Sequence, residues 1–145
     1  MKLVLQRVTS ASVRVEGREI ARIGKGLLVL FGAEKGDAAA SVDALVEKTL
    51  HLRIFPDHRG KMNLSCKDVG GDIVTVSQFT LAGDCTKGRR PGFDRAAPPE
   101  EAESLYHRYI EKLTSSGLRV GTGKFGAEMQ VELINDGPVT FILEG

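Results

Sequence analysis

The residues best suited to chemistry form a polar segment, SQFTLA, at positions 77–82. It follows a run of β-branched residues that predicts a strand over positions 72–79. Here two hydroxyls and an amide flank one aromatic ring, whereas a buried strand normally ends on apolar or turn residues. Backbone N–H groups at such a strand end can point into a cleft and stabilise an oxyanion. From composition alone, the simpler interpretation, a strand that runs into a polar loop, is favoured.

A basic segment, DCTKGRRPGFDR, comes next, at positions 84–95. Its four basic and two acidic side chains give a local charge of +2, and Phe93 adds an aromatic ring. Such a stretch can follow a phosphodiester backbone and stack a base, with Lys87, Arg89 and Arg90 as phosphate contacts. A solvated loop face is an almost equally good interpretation. Because the whole chain has a formal charge of only +1, any RNA contact has to be local.

The other residues that commonly carry catalysis are dispersed. No histidine is next to a nucleophile in sequence, so we interpret His51, His58 and His107 as surface or helix-face residues. Cys66 and Cys85 form no CxxC motif, which favours two free, partly buried thiols over a zinc site or a disulfide. The chain also lacks a Walker loop, a GxGxxG fingerprint and an HExxH motif. We therefore expect no metal and no cofactor.

Hydrophobic periodicity predicts the elements that hold these residues. Alternation predicts strands at 2–8, 11–15 and 19–23, and the continuous apolar run at 27–31 predicts a strand buried on both faces. An amphipathic stripe predicts a helix after Asp37, its expected N-cap, and a second helix is predicted from Pro98 to Gly117. Positions 135–138 are predicted to form the turn of a terminal hairpin.

This order of elements predicts one α/β domain, residues 1–145. We expect a three-layer sandwich of mixed or antiparallel β-sheets with two helices packed on one side. A composition of 41% hydrophobic and 27% charged residues is close to the globular average and argues against a disordered chain. No apolar run is long enough to span a bilayer and no signal peptide is recognisable, so we expect a cytoplasmic protein.

Two longer motifs give the chain a resemblance to the D-aminoacyl-tRNA deacylases of the D-Tyr-tRNA deacylase type. They are SQFTLA at 77–82 and NDGPVT at 135–140. Shorter patterns of that family surround them: QRV at 6–8, RIF at 53–55, GKMN at 60–63 and KFGAEM at 124–129. The resemblance covers essentially the whole chain. The departures are mild, with Gly92 where many relatives have a serine and Gly83 where an alanine is common.

The resemblance implies an enzyme of chiral proofreading in translation. Its substrate would be the ester that joins a D-amino acid, or glycine, to the terminal adenosine of a tRNA, and L-aminoacyl-tRNA would be rejected. It also implies a homodimer with both active sites at the subunit interface. The partners expected are therefore aminoacyl-tRNA and a second copy of the chain, and neither DNA nor a membrane.

The resemblance also assigns roles to individual residues. The catalytic residues of the pocket would be Ser77, Gln78, Phe79 and Thr80. Gly137 and Pro138 of the other subunit would form a chirality filter through a cis peptide bond. Phe125 and Met129 would hold the adenosine. Arg7 is a further candidate binding-site residue, which would support the filter.

The reaction that follows from these roles uses the substrate as its own base. The 2′-hydroxyl of the adenosine would activate the water, and N–H groups near Phe79 and Thr80 would stabilise the oxyanion. Two other functions remain open. One is a non-catalytic dimer that binds RNA 3′ ends, and the other is a hydrolase of small esters with Thr80 as nucleophile.

Overall fold

The chain, described from residue 1 to residue 145 by a computed structural model, contains eight strands, two α-helices and one short 3₁₀ helix. In order, the elements are β1 (Lys2–Val15), β2 (Arg18–Ile23), β3 (Gly26–Gly32), α1 (Ala39–His51), β4 (Phe55–Pro56), β5 (Met62–Leu64), β6 (Asp72–Ser77), a 3₁₀ helix (Phe79–Ala82), α2 (Pro99–Thr114), β7 (Val120–Thr122) and β8 (Gln130–Glu144). Neither α1 nor α2 has the length and apolar composition of a membrane-spanning helix.

β1 is the centre of a six-stranded mixed sheet. One of its edges pairs antiparallel with β3 and then with β2, and the other edge pairs antiparallel with β8. β6 joins β3 in parallel, and β7 joins β6 in parallel. Parallel neighbours require long crossover connections. The crossover from β3 to β6 contains α1, and the crossover from β6 to β7 contains α2.

Side chains of β3 and β6 point alternately into two cores. Phe31 and Ile73 pack with the buried faces of α1 and α2, whereas Leu28 and Val74 pack with Val13 in the second half of β1. The helices therefore cover one face of these strands, and the second half of β1 with β2 and the start of β8 covers the other. This arrangement confirms the predicted mixed α/β sandwich with two helices on one side.

The terminal hairpin predicted around positions 135–138 is wrong. β8 continues from residue 130 to residue 144 because both of its halves pair with the same edge of β1, with Arg14 opposite Gln130 and Lys2 opposite Glu144. Positions 135–138 form an irregularity in this register, where Asn135 Oδ1 accepts the N–H of Val139 at 2.8 Å. Pairing with a long neighbouring strand overrides the local turn preference.

Two smaller predictions are also corrected. Asp37 does not cap α1, which begins at Ala39, because its carboxylate accepts the backbone N–H of Glu34 at 2.6 Å. Both cysteines are free, as predicted, but Cys85 is exposed and only Cys66 is buried.

Candidate active site

A cavity of about 510 Å³ opens where β3 and β6 end. Its walls come from four parts of the chain, at 31–33, 76–79, 96–102 and 125–131. The lining side chains are apolar or small, apart from the uncharged polar side chains of Ser77 and Gln78. No titratable side chain lines the cavity, so its own lining supplies no general acid or base.

The predicted catalytic segment forms one wall of this cavity. The N–H of Gln78 donates to the carbonyl oxygen of Phe31 at 2.7 Å, which extends the ladder between β3 and β6 beyond Ser77. The strand ends at Ser77, two residues earlier than predicted, and the 3₁₀ helix begins at Phe79. Ser77, Gln78 and Phe79 line the cavity. Thr80 is exposed beside it, and its Oγ1 accepts a hydrogen bond from Gln78 Nε2 at 2.5 Å.

Gly32 decides how closely this segment approaches the sheet. A Cβ atom at this position would lie 2.8 Å from Leu81 Cβ and 2.9 Å from the carbonyl oxygen of Gln78. Both distances are shorter than real contacts allow, so any residue larger than glycine would push the segment away from the sheet. Gly32 could not be recognised from the sequence, because a glycine at a strand end carries the same signal as an ordinary turn residue.

The 3₁₀ helix leaves two backbone donors free at its start. The N–H groups of Phe79 and Thr80 have no acceptor within the helix, since its first bond runs from the N–H of Leu81 to the carbonyl oxygen of Gln78. Free, adjacent N–H groups can stabilise an oxyanion that develops close to them.

No histidine reaches the cavity. His51 lies 3.5 Å from Glu47 and His107 lies 3.7 Å from Glu103, in both cases one turn away on the surface of the same helix. His58 is exposed in the turn before β5. The prediction that the histidines are surface or helix-face residues is confirmed.

Phe125 and Met129, the predicted adenosine-binding pair, also line this cavity. The ring of Phe125 packs against that of Tyr106, with 6.1 Å between the centroids. Burial raises the pKa of Tyr106 to about 12. The protonated hydroxyl donates to the carbonyl oxygen of Thr75 at 2.7 Å and so fixes the ring that supports Phe125.

Arg7 binds the segment that carries Gly137 and Pro138. Its buried guanidinium donates from Nε to the carbonyl oxygen of Asp136 at 3.0 Å and from Nη1 to that of Ile54 at 2.6 Å. The peptide bond between Gly137 and Pro138 is cis, as predicted, and both residues are exposed.

Gly137 and Pro138 do not line the cavity of their own chain. Arg7 pairs with Leu27, at the start of β3, whereas the cavity opens at Phe31 near its end. Four residues of strand correspond to about 13 Å. The structure thus brings the predicted catalytic segment and the predicted adenosine-binding pair together, and it leaves Arg7 and the predicted filter segment elsewhere.

The basic segment 84–95 has three unpaired cations. Lys87, Arg89 and Arg90 are exposed and take part in no ion pair. Arg95, the fourth basic residue, is held by the carboxylate of Glu34 at 3.0 Å. The predicted phosphate contacts are therefore the three cations that remain available to a ligand.

Comparison with known proteins places these observations in a family. The sequence model of the family described as "D-Tyr-tRNA(Tyr) deacylase" matches residues 4–144. The chain belongs to this family. The D-aminoacyl-tRNA deacylase of Pelobacter propionicus is 58% identical over 144 residues, 99% of each chain. That of Geotalea uraniireducens is 57% identical over 99% of this chain and 93% of its own. The predicted enzyme class, a hydrolase of the D-aminoacyl-tRNA ester bond, is thereby confirmed.

Solved structures agree with the fold. A protein described as "c-Myc DNA Unwinding Element Binding Protein" has a TM-score of 0.94 and 45% identity, covering 100% of this chain and 99% of its own. A probable eukaryotic D-amino acid tRNA deacylase has a TM-score of 0.85 at 20% identity, covering 98% of this chain and 97% of its own, and it supports the fold alone.

Sequence reasoning missed the small residues that shape the cavity. Ala96 and Ala97 precede α2, and Gly126 and Ala127 lie between Phe125 and Met129. Small side chains have no chemical signature in a sequence. Their role follows only from their position on the cavity wall.

Proposed function

We propose that the chain is a proofreading enzyme of translation. It hydrolyses the ester between a D-amino acid, or glycine, and the terminal adenosine of a tRNA, and it rejects L-aminoacyl-tRNA. The observation that carries this proposal is the cavity with the free N–H groups of Phe79 and Thr80 beside it and no titratable side chain in its lining. Such a site stabilises negative charge with its main chain and takes its base from the substrate.

The proposed reaction is a direct attack of water on the ester carbonyl. The 2′-hydroxyl of the adenosine orients the water and takes up its proton as it passes its own proton to the 3′-oxygen, while the two free N–H groups stabilise the negative charge on the carbonyl oxygen. The ester bond then breaks, and the 3′-oxygen of the ribose leaves with a proton. Thr80 orients the reactants in this scheme and forms no bond with the substrate. The scheme requires no metal and no cofactor.

The site is proposed to be completed by a second copy of the chain, in a C2 homodimer. Gly137 and Pro138 are exposed and lie outside the cavity of their own chain. They can therefore contribute to a cavity only if it belongs to a second copy. The outer edge of β8 has no pairing strand, and β8 carries three large exposed apolar side chains, Ile134, Phe141 and Ile142. A long apolar edge strand favours association between copies. An active monomer in sedimentation at micromolar concentration would contradict the dimer.

Chirality is proposed to be read by rigid main chain. The carbonyl groups of Gly137 and Pro138 would occupy the space that the side chain of an L-residue needs, whereas a D-residue directs its side chain outward and glycine has none. Arg7 supports this role because it holds the residue before Gly137. Exclusion by main chain does not depend on the identity of the D-side chain, so many D-amino acids would be accepted.

The tRNA is proposed to be held at two places. Phe125 and Met129 hold the terminal adenosine, and Lys87, Arg89 and Arg90 contact phosphates. Aminoacyl-tRNA is made and consumed in the cytoplasm, so the proposed activity is cytoplasmic.

Substrate comparison tests the proposal directly. The protein is incubated with D-aminoacyl-tRNA, L-aminoacyl-tRNA, glycyl-tRNA and a simple amino-acid ester. We expect turnover of the D-aminoacyl and glycyl substrates only. Binding of RNA without turnover would favour the non-catalytic alternative, and turnover of the simple ester would favour a small-ester hydrolase.

Thr80→Ala separates orientation from nucleophilic catalysis. The Thr80 hydroxyl has only the Gln78 amide as a side-chain partner, and an amide cannot act as its base. Loss of one hydrogen bond costs about 0.5–1.5 kcal/mol, so we expect kcat/KM to fall by about tenfold or less. Thr114→Ala, an exposed threonine near the end of α2, is the control. Loss of all turnover, with an acyl-enzyme detected in the parent by mass spectrometry, would refute the substrate-assisted scheme.

A further inference from the structure

Two exposed aromatic rings meet beside the cavity. Phe79, which lines the cavity, and Phe93, in the basic segment, have ring centroids 5.1 Å apart in an edge-on arrangement. Phe79 is 57% exposed and Phe93 is 37% exposed. Single exposed apolar side chains are common on proteins. Two exposed rings in contact next to a cavity instead form a surface on which a planar ligand can stack.

The backbone holds this aromatic pair in place. Asp84 and Gly92 exchange two backbone hydrogen bonds, at 2.8 and 2.9 Å, which close the basic segment immediately before Phe93. A Cβ atom at Gly83 would lie 3.2 Å from Cε1 of Phe93 and 2.9 Å from the carbonyl oxygen of Thr80. The absence of a side chain at Gly83 therefore lets the Phe93 ring approach the 3₁₀ helix and reach Phe79.

The charge around the pair indicates the kind of ligand. Lys87, Arg89 and Arg90 lie in the segment that the Asp84–Gly92 bridge closes, and none of them has an ion-pair partner. The carboxylate of Asp84 is turned away onto Thr86, where it accepts the backbone N–H at 2.9 Å and the hydroxyl at 2.7 Å. Unpaired cations next to exposed aromatic rings bind single-stranded nucleic acid, with phosphates on the cations and a base on the ring.

We propose that Phe93, supported edge-on by Phe79, stacks the base of the nucleotide that precedes the terminal adenosine of the tRNA. This inference rests on the proposed function, because it requires the adenosine in the cavity that Phe79 lines. The preceding nucleotide is unpaired in a tRNA, so its base has a free face. Stacking on a ring does not depend on which base is stacked, as a site that accepts many tRNAs requires.

Three amide analogues, which the enzyme cannot hydrolyse, test the proposal by calorimetry. The first is a D-phenylalanyl group on 3′-amino-3′-deoxyadenosine. The second carries a cytidine joined through a phosphate to its 5′-oxygen, and the third has an abasic sugar in place of that cytidine. Since stacking of one base contributes about 1–3 kcal/mol, the cytidine form should bind roughly 5- to 150-fold more tightly than the abasic form. Both forms have the same phosphate, so their ratio isolates the base.

Variants at Phe93 assign the effect to its ring. We expect Phe93→Ala to reduce the ratio of the two affinities to about one, and Phe93→Tyr, which keeps the ring, to preserve it. Ile20→Ala is the matched control, because Ile20 is a large exposed apolar side chain on β2, outside this segment. Binding of the first analogue to each variant shows that the cavity is still folded.

The outcomes separate this inference from the function on which it rests. If the first analogue does not bind, the proposed function is wrong and the stacking site is wrong with it. If the first analogue binds but the cytidine and abasic forms bind equally well, only the stacking site is refuted. A change of oligomeric state in Phe93→Ala would show that the ring belongs to a contact between copies, and it would also refute the inference.

Discussion

The Nε of Arg7 donates to the carbonyl oxygen of Asp136 at 3.0 Å and so ties β1 to the residue before Gly137. The same guanidinium donates to the carbonyl oxygen of Ile54, in the connection between α1 and β4. One buried side chain therefore joins three segments that are far apart in sequence. The orientation of the segment that we propose as the chirality filter depends on this contact.

Arg7→Ala tests that dependence. It leaves the carbonyl oxygens of Asp136 and Ile54 without a donor, so we expect the free energy of unfolding to fall by about 1–3 kcal/mol. A loosened filter should also raise the ratio of kcat/KM for L-aminoacyl-tRNA to that for D-aminoacyl-tRNA. Arg14→Ala, at an exposed arginine of the same strand, is the control. Reduced stability with an unchanged ratio would assign Arg7 a purely structural role.

Gly32→Ala tests the close approach between β3 and the proposed catalytic segment. The added methyl group would overlap Leu81 and the carbonyl oxygen of Gln78 and displace the free N–H groups, so we expect kcat/KM to fall. Overpacking also costs about 1–3 kcal/mol of stability, measured by denaturant unfolding. Gly24→Ala is the control, since nothing lies within 4 Å of a Cβ atom there. Equal activity of the two variants would contradict this role of Gly32.

Replacement of Lys87, Arg89 and Arg90 by alanine tests the phosphate contacts. Affinity for uncharged tRNA should fall by a similar factor for different tRNA sequences, because phosphates carry no base identity. For a single strand, the slope of log affinity against log salt should become shallower by about 2. A triple alanine variant at three other exposed lysines, Lys35, Lys48 and Lys67, is the charge-matched control. An unchanged slope would return the segment to a solvated loop face.

Alkaline pH is expected to unfold the protein through three buried, protonated groups. Burial raises the pKa of Cys66 and of Tyr106 to about 12, and it raises the pKa of Tyr109 further. In the unfolded chain, Cys titrates near pH ~8.5 and Tyr near pH ~10, so the unfolded state loses its protons first. The contribution of these three groups to the free energy of unfolding should be constant below pH ~8 and decrease as the pH rises from about 9 to about 12.

Urea unfolding across this pH range measures the effect. Tyr106→Phe keeps the ring and should flatten the decrease above pH ~10, where the phenol would ionise on unfolding. Cys85→Ala is the control, because Cys85 is exposed. A stability that stays constant up to pH ~12 would contradict the burial of these groups.

The elements that could be predicted from the sequence are those in which local pattern and tertiary environment agree. The run at 27–31 is a strand buried on both faces because apolar side chains on both sides match the two cores. The stripe of the first helix was predicted because its period matches one buried face. The hairpin turn predicted at positions 135–138 is wrong because the local turn preference competes with pairing to β1, and the pairing partner lies more than a hundred residues away.

For the candidate site, too, some features could be predicted from the sequence and others depend on the tertiary structure. By itself, the sequence determined which residues have suitable chemistry, since side-chain type, the two long motifs and the resemblance they carry are all local properties. Tertiary structure decided which of these residues meet: Ser77 and Phe125 share one cavity, whereas Gly137 lies outside it, beside Arg7. It also decided the role of Gly32, because a close approach depends on the atoms that another segment places nearby. Distances between remote segments are set by sheet register and packing, and no local pattern encodes them.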